Sequence, residues 1–180
     1  NNLEYYKNKI SEEKLIIYNG ASSIGLYGKS DFNKTVELKN NIYIDNILFE
    51  DELIDSGEST LIGNKFLKDY IFLIDWKNNK IYFKNLNNRS EKQINSFGFS
   101  YLFNNGKALV VSKVEDKNIP INLGDEIIRI DDFDFTSIKN EETCKYFLNK
   151  VEKDKQMIEI TIKRDNNLLN FKLKKQIFIK

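Results

Sequence analysis

The segment Leu61–Lys84, LIGNKFLKDYIFLIDWKNNKIYFK, places two strand-like runs on either side of a short polar turn. The runs Tyr70–Ile74 and Lys80–Phe83 are rich in β-branched and aromatic residues, which favours strands. Two Asn residues stand at the centre of the turn, and Asn tolerates the left-handed backbone region. The pattern therefore predicts a tight hairpin, preceded by a helical turn at Asn64–Asp69.

The rest of the chain continues this β pattern and adds one amphipathic helix. Further strands are predicted at Leu15–Tyr18, Ile42–Ile44, Ala108–Val114, Glu126–Ile130, Met157–Lys163 and Leu168–Lys174, the last two joined as a hairpin. Apolar residues at spacings of three and four predict a helix over Glu141–Val151. The fold class is therefore mainly β with short helices (α+β).

Composition excludes several classes of function. The 180 residues include 28 basic and 27 acidic side chains, so the net charge of +1 gives no overall field that would favour nucleic acid. No apolar run approaches the roughly 18 residues that cross a bilayer, so no integral membrane segment is expected.

The absence of histidine and the single cysteine, Cys144, restrict the chemistry further. Intrachain disulfides, Cys/His zinc sites and His-assisted nucleophiles are excluded, so Cys144 on an apolar helix face is read as a small core residue rather than a nucleophile. Asp131–Asp134 lacks the Gly and the distal Glu of an EF-hand, which favours a solvated turn. No metal and no cofactor are expected.

A polar stretch without hydrophobic period, Asn85–Ser90, separates the two strand-rich parts of the chain. We therefore predict a first domain at residues 1–86, a linker at 87–94 and a second domain at 95–180.

The first part carries two motifs of one family. Leu61–Leu67 and the strand, acidic turn and strand that follow it resemble the C-terminal part of retropepsin-like aspartic proteases. Upstream, the glycine-rich residues 18–30, with Gly20, Gly25 and Gly28, resemble the mobile flap of that family, whose glycines supply hinge freedom. The resemblance implies a partial retropepsin-like β-barrel, with Trp76 packed at the end of its sheet.

The triplet Asp55-Ser56-Gly57 has the form of a catalytic Asp-Ser-Gly turn, but its position is wrong for this family. The family order places that turn before the flap, and hence upstream of Asn1. Catalysis also needs two carboxylates that share a proton, and one turn supplies only one. We therefore reject Asp55 as catalytic, and the alternative is a polar loop with Gly57 at a turn.

The second part resembles a PDZ domain. Phe97-Gly98-Phe99 is similar to the end of that family's carboxylate-binding loop, and Leu123–Ile130 is similar to its Gly-Asp strand. The resemblance implies β-augmentation, in which loop amides receive a terminal carboxylate and an exposed strand edge pairs with the peptide. The edge strand would begin at Phe99, with helix Glu141–Val151 as the opposite wall. With Leu168–Lys174 as the final strand, the permuted strand order of bacterial PDZ domains is expected.

The resemblance implies that the loop and the strand supply five peptide-binding residues and that the helix supplies three. If the helix register differs by one residue, one of these three side chains points into the core instead. The eight residues are Phe97, Gly98, Phe99, Ser100, Tyr101, Cys144, Phe147 and Leu148.

The two resemblances together describe a bacterial retropepsin-like protease with a C-terminal PDZ domain. They imply that the intact protein hydrolyses peptide bonds, whereas this chain binds peptide or protein C-termini without a catalytic Asp of its own. The alternative is a non-catalytic scaffolding protein with a degenerate protease-like fold. Self-association through the incomplete protease-like sheet is a further expectation, and the cell envelope or periplasm is favoured over the cytoplasm.

Overall fold

The computed structural model describes residues 15–21, 24–25, 28–29, 34–55, 62–86, 92–116 and 118–180. Strands dominate these residues, which confirms the predicted mainly β class. The first half contains β1 Leu15–Gly20, β2 Ile24–Gly25, β3 Gly28–Lys29, β4 Lys34–Ile44, β5 Ile47–Asp55, α1 Asn64–Leu67, β6 Tyr70–Asp75 and β7 Lys80–Asn85. The second half contains β8 Ile94–Ser96, β9 Phe99–Asn104, β10 Lys107–Val114, β11 Glu126–Ile130, β12 Phe133–Asp134, α2 Asn140–Leu148, β13 Met157–Arg164, β14 Asn167–Lys174 and β15 Gln176–Ile179.

Within the described residues, nine strands form one antiparallel sheet. Its main path runs β14-β13-β11-β10-β1-β4-β5, with β12 added to β11 and β9 added to β10. Three two-stranded ladders, β15-β8, β2-β3 and β6-β7, complete the described strands.

Strand β10 joins the two parts of the chain in one sheet. One side of β10 pairs with β9, and its other side pairs first with β11 and then, at residues 112–114, with β1. At the end of this contact Gly20 has φ +96° and lies against Val111, whose carbonyl accepts the Ala21 N–H at 2.9 Å. Strand β1 from the first part therefore extends the sheet of the second part.

The two predicted hairpins are confirmed, and local turn chemistry explains the first of them. In the β6–β7 turn Asn79 takes φ +52°, and the Asp75 carboxylate accepts hydrogen bonds from the backbone and the side chain of Asn78 at 3.1 and 2.8 Å. These bonds lower the pKa of Asp75. In the β13–β14 turn Asp165 and Asn166 both have positive φ, as a two-residue hairpin requires.

Two apolar clusters stand out among the described residues. The larger one lies in the second part and also takes in Ile16 of β1. The smaller one is aromatic, with Phe49 of β5 packed against Phe66, Tyr70 and Phe83 at ring-centroid distances of 5.1–5.6 Å. Each part of the chain thus has an apolar cluster of its own, and β1 belongs to the cluster of the second.

Three expectations about local structure are wrong. Helix α2 ends at Leu148 rather than Val151, and its buried side chain is Tyr146. Trp76 is 81% exposed, because it lies in the turn at the free tip of the β6–β7 hairpin and has no sheet end to pack against. Strand β14 is not the last strand, because β15 follows it and pairs with β8.

Candidate functional site

Strand β9 and helix α2 pack against each other through aromatic side chains, and this junction is where the sequence predicts the groove. The side chains of Phe99, Tyr101 and Phe103 share one face of β9, because side chains alternate along a strand. Phe147 of α2 lies against this face, with its ring centroid 6.2 Å from that of Tyr101 and 5.4 Å from that of Phe103. In the described part of the chain, β9 pairs with β10 and with no other strand. One edge of β9 is therefore open to strand addition beside α2.

The loop that enters β9 turns at Gly98, which has φ +78°. A Cβ at this position would meet the Ile119 side chain at 2.1 Å, so the site requires Gly for space as well as for conformation. The Gly98 carbonyl accepts the Val114 N–H at 2.7 Å, and the Gly98 N–H donates to Ser96 Oγ at 3.1 Å. The Gly98 carbonyl thus fixes the loop to the sheet, while the Gly98 N–H makes one local hydrogen bond.

A buried cluster of two hydroxyls and one carboxylate lies beneath the groove. The hydroxyl of Tyr101 donates to Glu152 Oε1 at 2.7 Å, and that of Tyr146 donates to Glu152 Oε2 at 3.1 Å. The two hydroxyl oxygens are themselves 2.8 Å apart. This cluster ties strand β9, helix α2 and the segment after α2 together.

Both tyrosines of this cluster have a strongly raised pKa. For Tyr101 burial is the main cause, and the Glu152 carboxylate adds to it. For Tyr146 burial is the main cause, and together with the Glu152 carboxylate it outweighs the opposing contact with the Tyr101 hydroxyl. Both hydroxyls therefore stay protonated and act as donors to Glu152.

We expect the fold to lose stability above pH 10, the ordinary pKa of tyrosine. Because the folded pKa values lie above that of the unfolded chain, the stabilisation is complete below pH 10 and falls as the pH rises further. Chemical unfolding measured across this range should show the decline. Tyr146→Phe should reduce its slope, whereas Tyr43→Phe, at an exposed position, should leave the slope unchanged. Equal slopes in all three proteins would contradict the assignment.

The other predicted groove residues are placed as follows. Phe97 is buried, and the Ser100 hydroxyl lies 2.6 Å from that of Ser112 on β10. Cys144 is exposed, so its interpretation as a core residue is wrong, and Leu148 is 71% exposed. Of the three helix residues, only Phe147 contacts the rings of β9 in the described structure.

Sequence reasoning missed three residues here, Tyr146, Lys150 and Glu152. Tyr146 occupies the buried position of α2, where its ring packs 4.9 Å from Phe133 and 5.2 Å from Phe135. Counting Tyr as apolar would have found it, because Tyr146 lies directly before Phe147 in the periodic segment. Glu152 carries no local signal, since its shorter hydrogen bond comes from Tyr101, which is distant in sequence.

A second buried polar cluster connects the first part to the residue range that was predicted as linker. Lys92 bridges Glu52 of β5, at 2.9 Å, and Asp69, while Tyr70 donates its hydroxyl to the other Glu52 oxygen at 2.8 Å. Burial alone would lower the pKa of Lys92, but the bonds and charges of Asp69 and Glu52 outweigh it and raise that pKa. The arrangement is a structural ion bridge, because one ammonium group contacts two acidic side chains from separate parts of the chain.

The predicted flap and catalytic-turn residues lie at the edges of the described part. Gly25 and Gly28 face each other in the β2–β3 ladder, while residues 22–23, 26–27 and 30 of the predicted flap lie outside the described residues. Asp55 is the last residue of β5, exposed and opposite Glu37 of β4, so it lies in a strand rather than in a loop. Ser56 and Gly57 lie outside the described residues.

The described residues offer neither a metal site nor a membrane-spanning helix, and the chain has no match among known families. Among the described residues, no group of three or more His, Cys, Asp or Glu side chains is placed to hold a metal ion. None of the described helices combines the length and apolar character needed to cross a membrane. The chain matches no protein-family model, and no curated protein is detectably similar to it.

Proposed function

We propose that residues 95–180 form a PDZ-like module that binds the C-terminus of a peptide or protein between β9 and α2. The observation that carries the proposal is the open edge of β9 beside the aromatic face of Tyr101 and Phe147. An extended peptide would add to this edge as a further strand, with its side chains directed towards the rings. The permuted strand order stays a prediction, with β15 rather than β14 as the terminal strand.

The loop at Gly98 would receive the peptide's terminal carboxylate. Its positive φ turns neighbouring amides towards one side, as anion-binding backbone nests require. The bond from the Gly98 N–H to Ser96 Oγ joins two uncharged groups, so a carboxylate would replace it with a stronger, charge-assisted bond.

The test is titration of the isotopically labelled full chain with a random library of C-terminal peptides. We expect micromolar dissociation constants, about −8 kcal/mol, because short peptides lose much of their interaction energy to ordering. Shift changes should concentrate at residues 97–103 and α2, and amidation of the peptide carboxylate should weaken binding. Binding that is unaffected by amidation, or shift changes confined to other strands, would refute the carboxylate-loop assignment.

Phe147→Ala should weaken this binding about tenfold, because it removes the helix ring that contacts the β9 face. Leu168→Ala is the matched control, since Leu168 is an exposed apolar residue on β14. Equal losses in both variants would show that the groove is not the binding site.

For the first part of the chain we propose a supporting role rather than catalysis within these residues. Asp55 is the exposed last residue of β5, and Lys92 holds Glu52 and Asp69 in a structural bridge. Peptide-bond hydrolysis by a longer protein with an upstream catalytic turn remains the proposal implied by the retropepsin resemblance, and scaffolding remains its alternative. A peptidase assay on the full-length protein decides between them, with Asp55→Asn expected to retain activity.

Self-association is a second proposal, carried by the β6–β7 hairpin. Within the described residues both outer edges of this hairpin are unpaired. Its exposed large apolar side chains are Ile71, Phe72, Leu73, Ile74, Trp76, Ile81 and Tyr82. A second copy would cover these faces and edges at once, since apolar surface and free strand edges both drive association.

We expect sedimentation velocity to show a concentration-dependent dimer that Leu73→Lys shifts towards monomer. Leu168→Lys places the same charge at an equally exposed leucine on β14, 62% against 64% exposed, and should leave the dimer unchanged. A wild-type chain that stays monomeric at high concentration would refute the proposal.

A further inference from the structure

Lys150 lies at the junction of β9 and α2, just after the end of the helix. Its Nζ is 4.7 Å from the ring centroid of Tyr101 on β9 and 4.9 Å from that of Phe147 on α2. A cation over aromatic faces at these distances is held electrostatically by the rings. The ammonium group is therefore fixed at the groove rather than extended into solvent.

The same ammonium group lacks an anionic partner in the described part of the chain. No described carboxylate forms an ion pair with Lys150, although an ammonium group has three donors to satisfy. The Glu152 carboxylate, two residues along the chain, is already engaged by the hydroxyls of Tyr101 and Tyr146. Burial lowers the pKa of Lys150, and the charge of Glu152 opposes this only in part.

The neighbouring lysines differ from Lys150 in this respect. Lys175 lies 5.5 Å from the ring centroid of Phe97, but its Nζ donates to the Lys153 carbonyl at 2.7 Å. Lys153 itself is exposed. Among these lysines, Lys150 combines partial burial, contact with the groove rings and unused donors.

We infer that Lys150 is a specificity-determining residue of the groove, which pairs with a carboxylate of the bound peptide. This inference rests on the proposed peptide-binding function and adds to it the chemical class of the ligand, an anionic peptide. The carboxylate has two possible sources, the peptide C-terminus and an Asp or Glu side chain near it. In both cases the half-buried cation exchanges unsatisfied donors for charge-assisted hydrogen bonds, which are stronger than neutral ones.

The first experiment uses four peptides that share one apolar sequence. Each peptide has either a free or an amidated C-terminus, and either Glu or Gln two residues before that terminus. Each is titrated against the full chain, Lys150→Met and the control Lys153→Met, which makes the same charge change at an exposed neighbour. Lys150→Met should weaken binding of the anionic peptides about tenfold, whereas Lys153→Met should change it less than twofold. Lys150→Arg, which keeps the charge, should retain most of the affinity, and thermal unfolding checks that each variant is folded.

Wild type and Lys150→Met should differ in affinity only for peptides that carry the carboxylate bound by Lys150. The charge whose removal abolishes this difference in affinity therefore identifies the source of the carboxylate. Loss of that difference on amidation assigns the terminal carboxylate, and loss on Glu to Gln exchange assigns the side chain. If all four peptides bind wild type and Lys150→Met alike, the role of Lys150 is overturned while peptide binding stands.

A second measurement separates this inference from the proposed function. N-acetyl-leucine, a simple carboxylate, is added to the full chain while the NMR signals of the Lys150 side chain are followed. Saturable shifts at Lys150 that are absent with N-acetyl-leucinamide support the anion site even if no peptide adds to β9. Absence of such shifts, together with charge-independent peptide binding, overturns the inference.

Discussion

Replacing Lys92 with Met is expected to lower the free energy of unfolding by about 3–5 kcal/mol, the usual result of removing one partner from a buried ion pair. The side chains of Lys92, Glu52 and Asp69 are 14%, 3% and 9% exposed, so solvent cannot replace the lost cation. The variant would remove the one ammonium group that contacts both of these buried carboxylates. Denaturant unfolding of the wild type and the variant at neutral pH measures the loss.

Two further variants test whether the loss of stability comes from the buried ion bridge. Lys172→Met removes a lysine from an exposed pair with Glu159, at 73% and 67% exposure, and should leave the free energy of unfolding nearly unchanged, because solvent screens exposed ion pairs. The triple variant Lys92→Met, Glu52→Gln, Asp69→Asn should recover part of the loss, because buried amides cost less than unpaired carboxylates. A Lys92→Met protein as stable as the Lys172→Met control would show that the bridge from Lys92 to Glu52 and Asp69 does not stabilise the fold.

Gly20→Ala is expected to lower the free energy of unfolding by about 2–5 kcal/mol, through the junction of β1 and β10. At φ +96° an alanine carries left-handed strain of about 1–2 kcal/mol, and its Cβ would lie 2.1 Å from the Val111 carbonyl oxygen. A backbone atom cannot move aside as a side chain can, so overpacking adds about 1–3 kcal/mol. The pairing of residues 18–20 with β10 would then be lost.

Gly124→Ala is the matched control for this prediction. Gly124 also has a positive φ, +84°, but a Cβ there meets no atom within 4 Å. Its substitution should therefore cost only the left-handed strain, about 1–2 kcal/mol. Hydrogen exchange should show faster amide exchange in β1 for Gly20→Ala and unchanged exchange there for Gly124→Ala. Equal losses of stability in both variants would show that the contact with the Val111 carbonyl oxygen does not contribute to the effect of Gly20→Ala.

Local patterns determined much of the secondary structure. The β6–β7 and β13–β14 hairpins could be predicted because strand alternation and the Asn and Asp turn residues act over a few neighbouring positions. The glycine at the turn into β9 was predicted from a family resemblance, and its close approach to the Ile119 side chain became evident only in the structure. The aromatic partners of Tyr146 on α2 could not be predicted, because Phe133 and Phe135 come from another element and only the folded chain brings them together.

The sequence by itself determined a mainly β chain, the positions of its hairpins and the absence of histidine chemistry. Only the tertiary structure decided that β1 pairs with β10, that Lys92 bridges Glu52 and Asp69, and that Lys150 lies over Tyr101 and Phe147. The physical reason is the range of the interactions. Backbone propensity and turn chemistry act between neighbours in sequence, whereas strand partners, buried ion pairs and cation–ring contacts depend on where the folded sheet brings distant residues together.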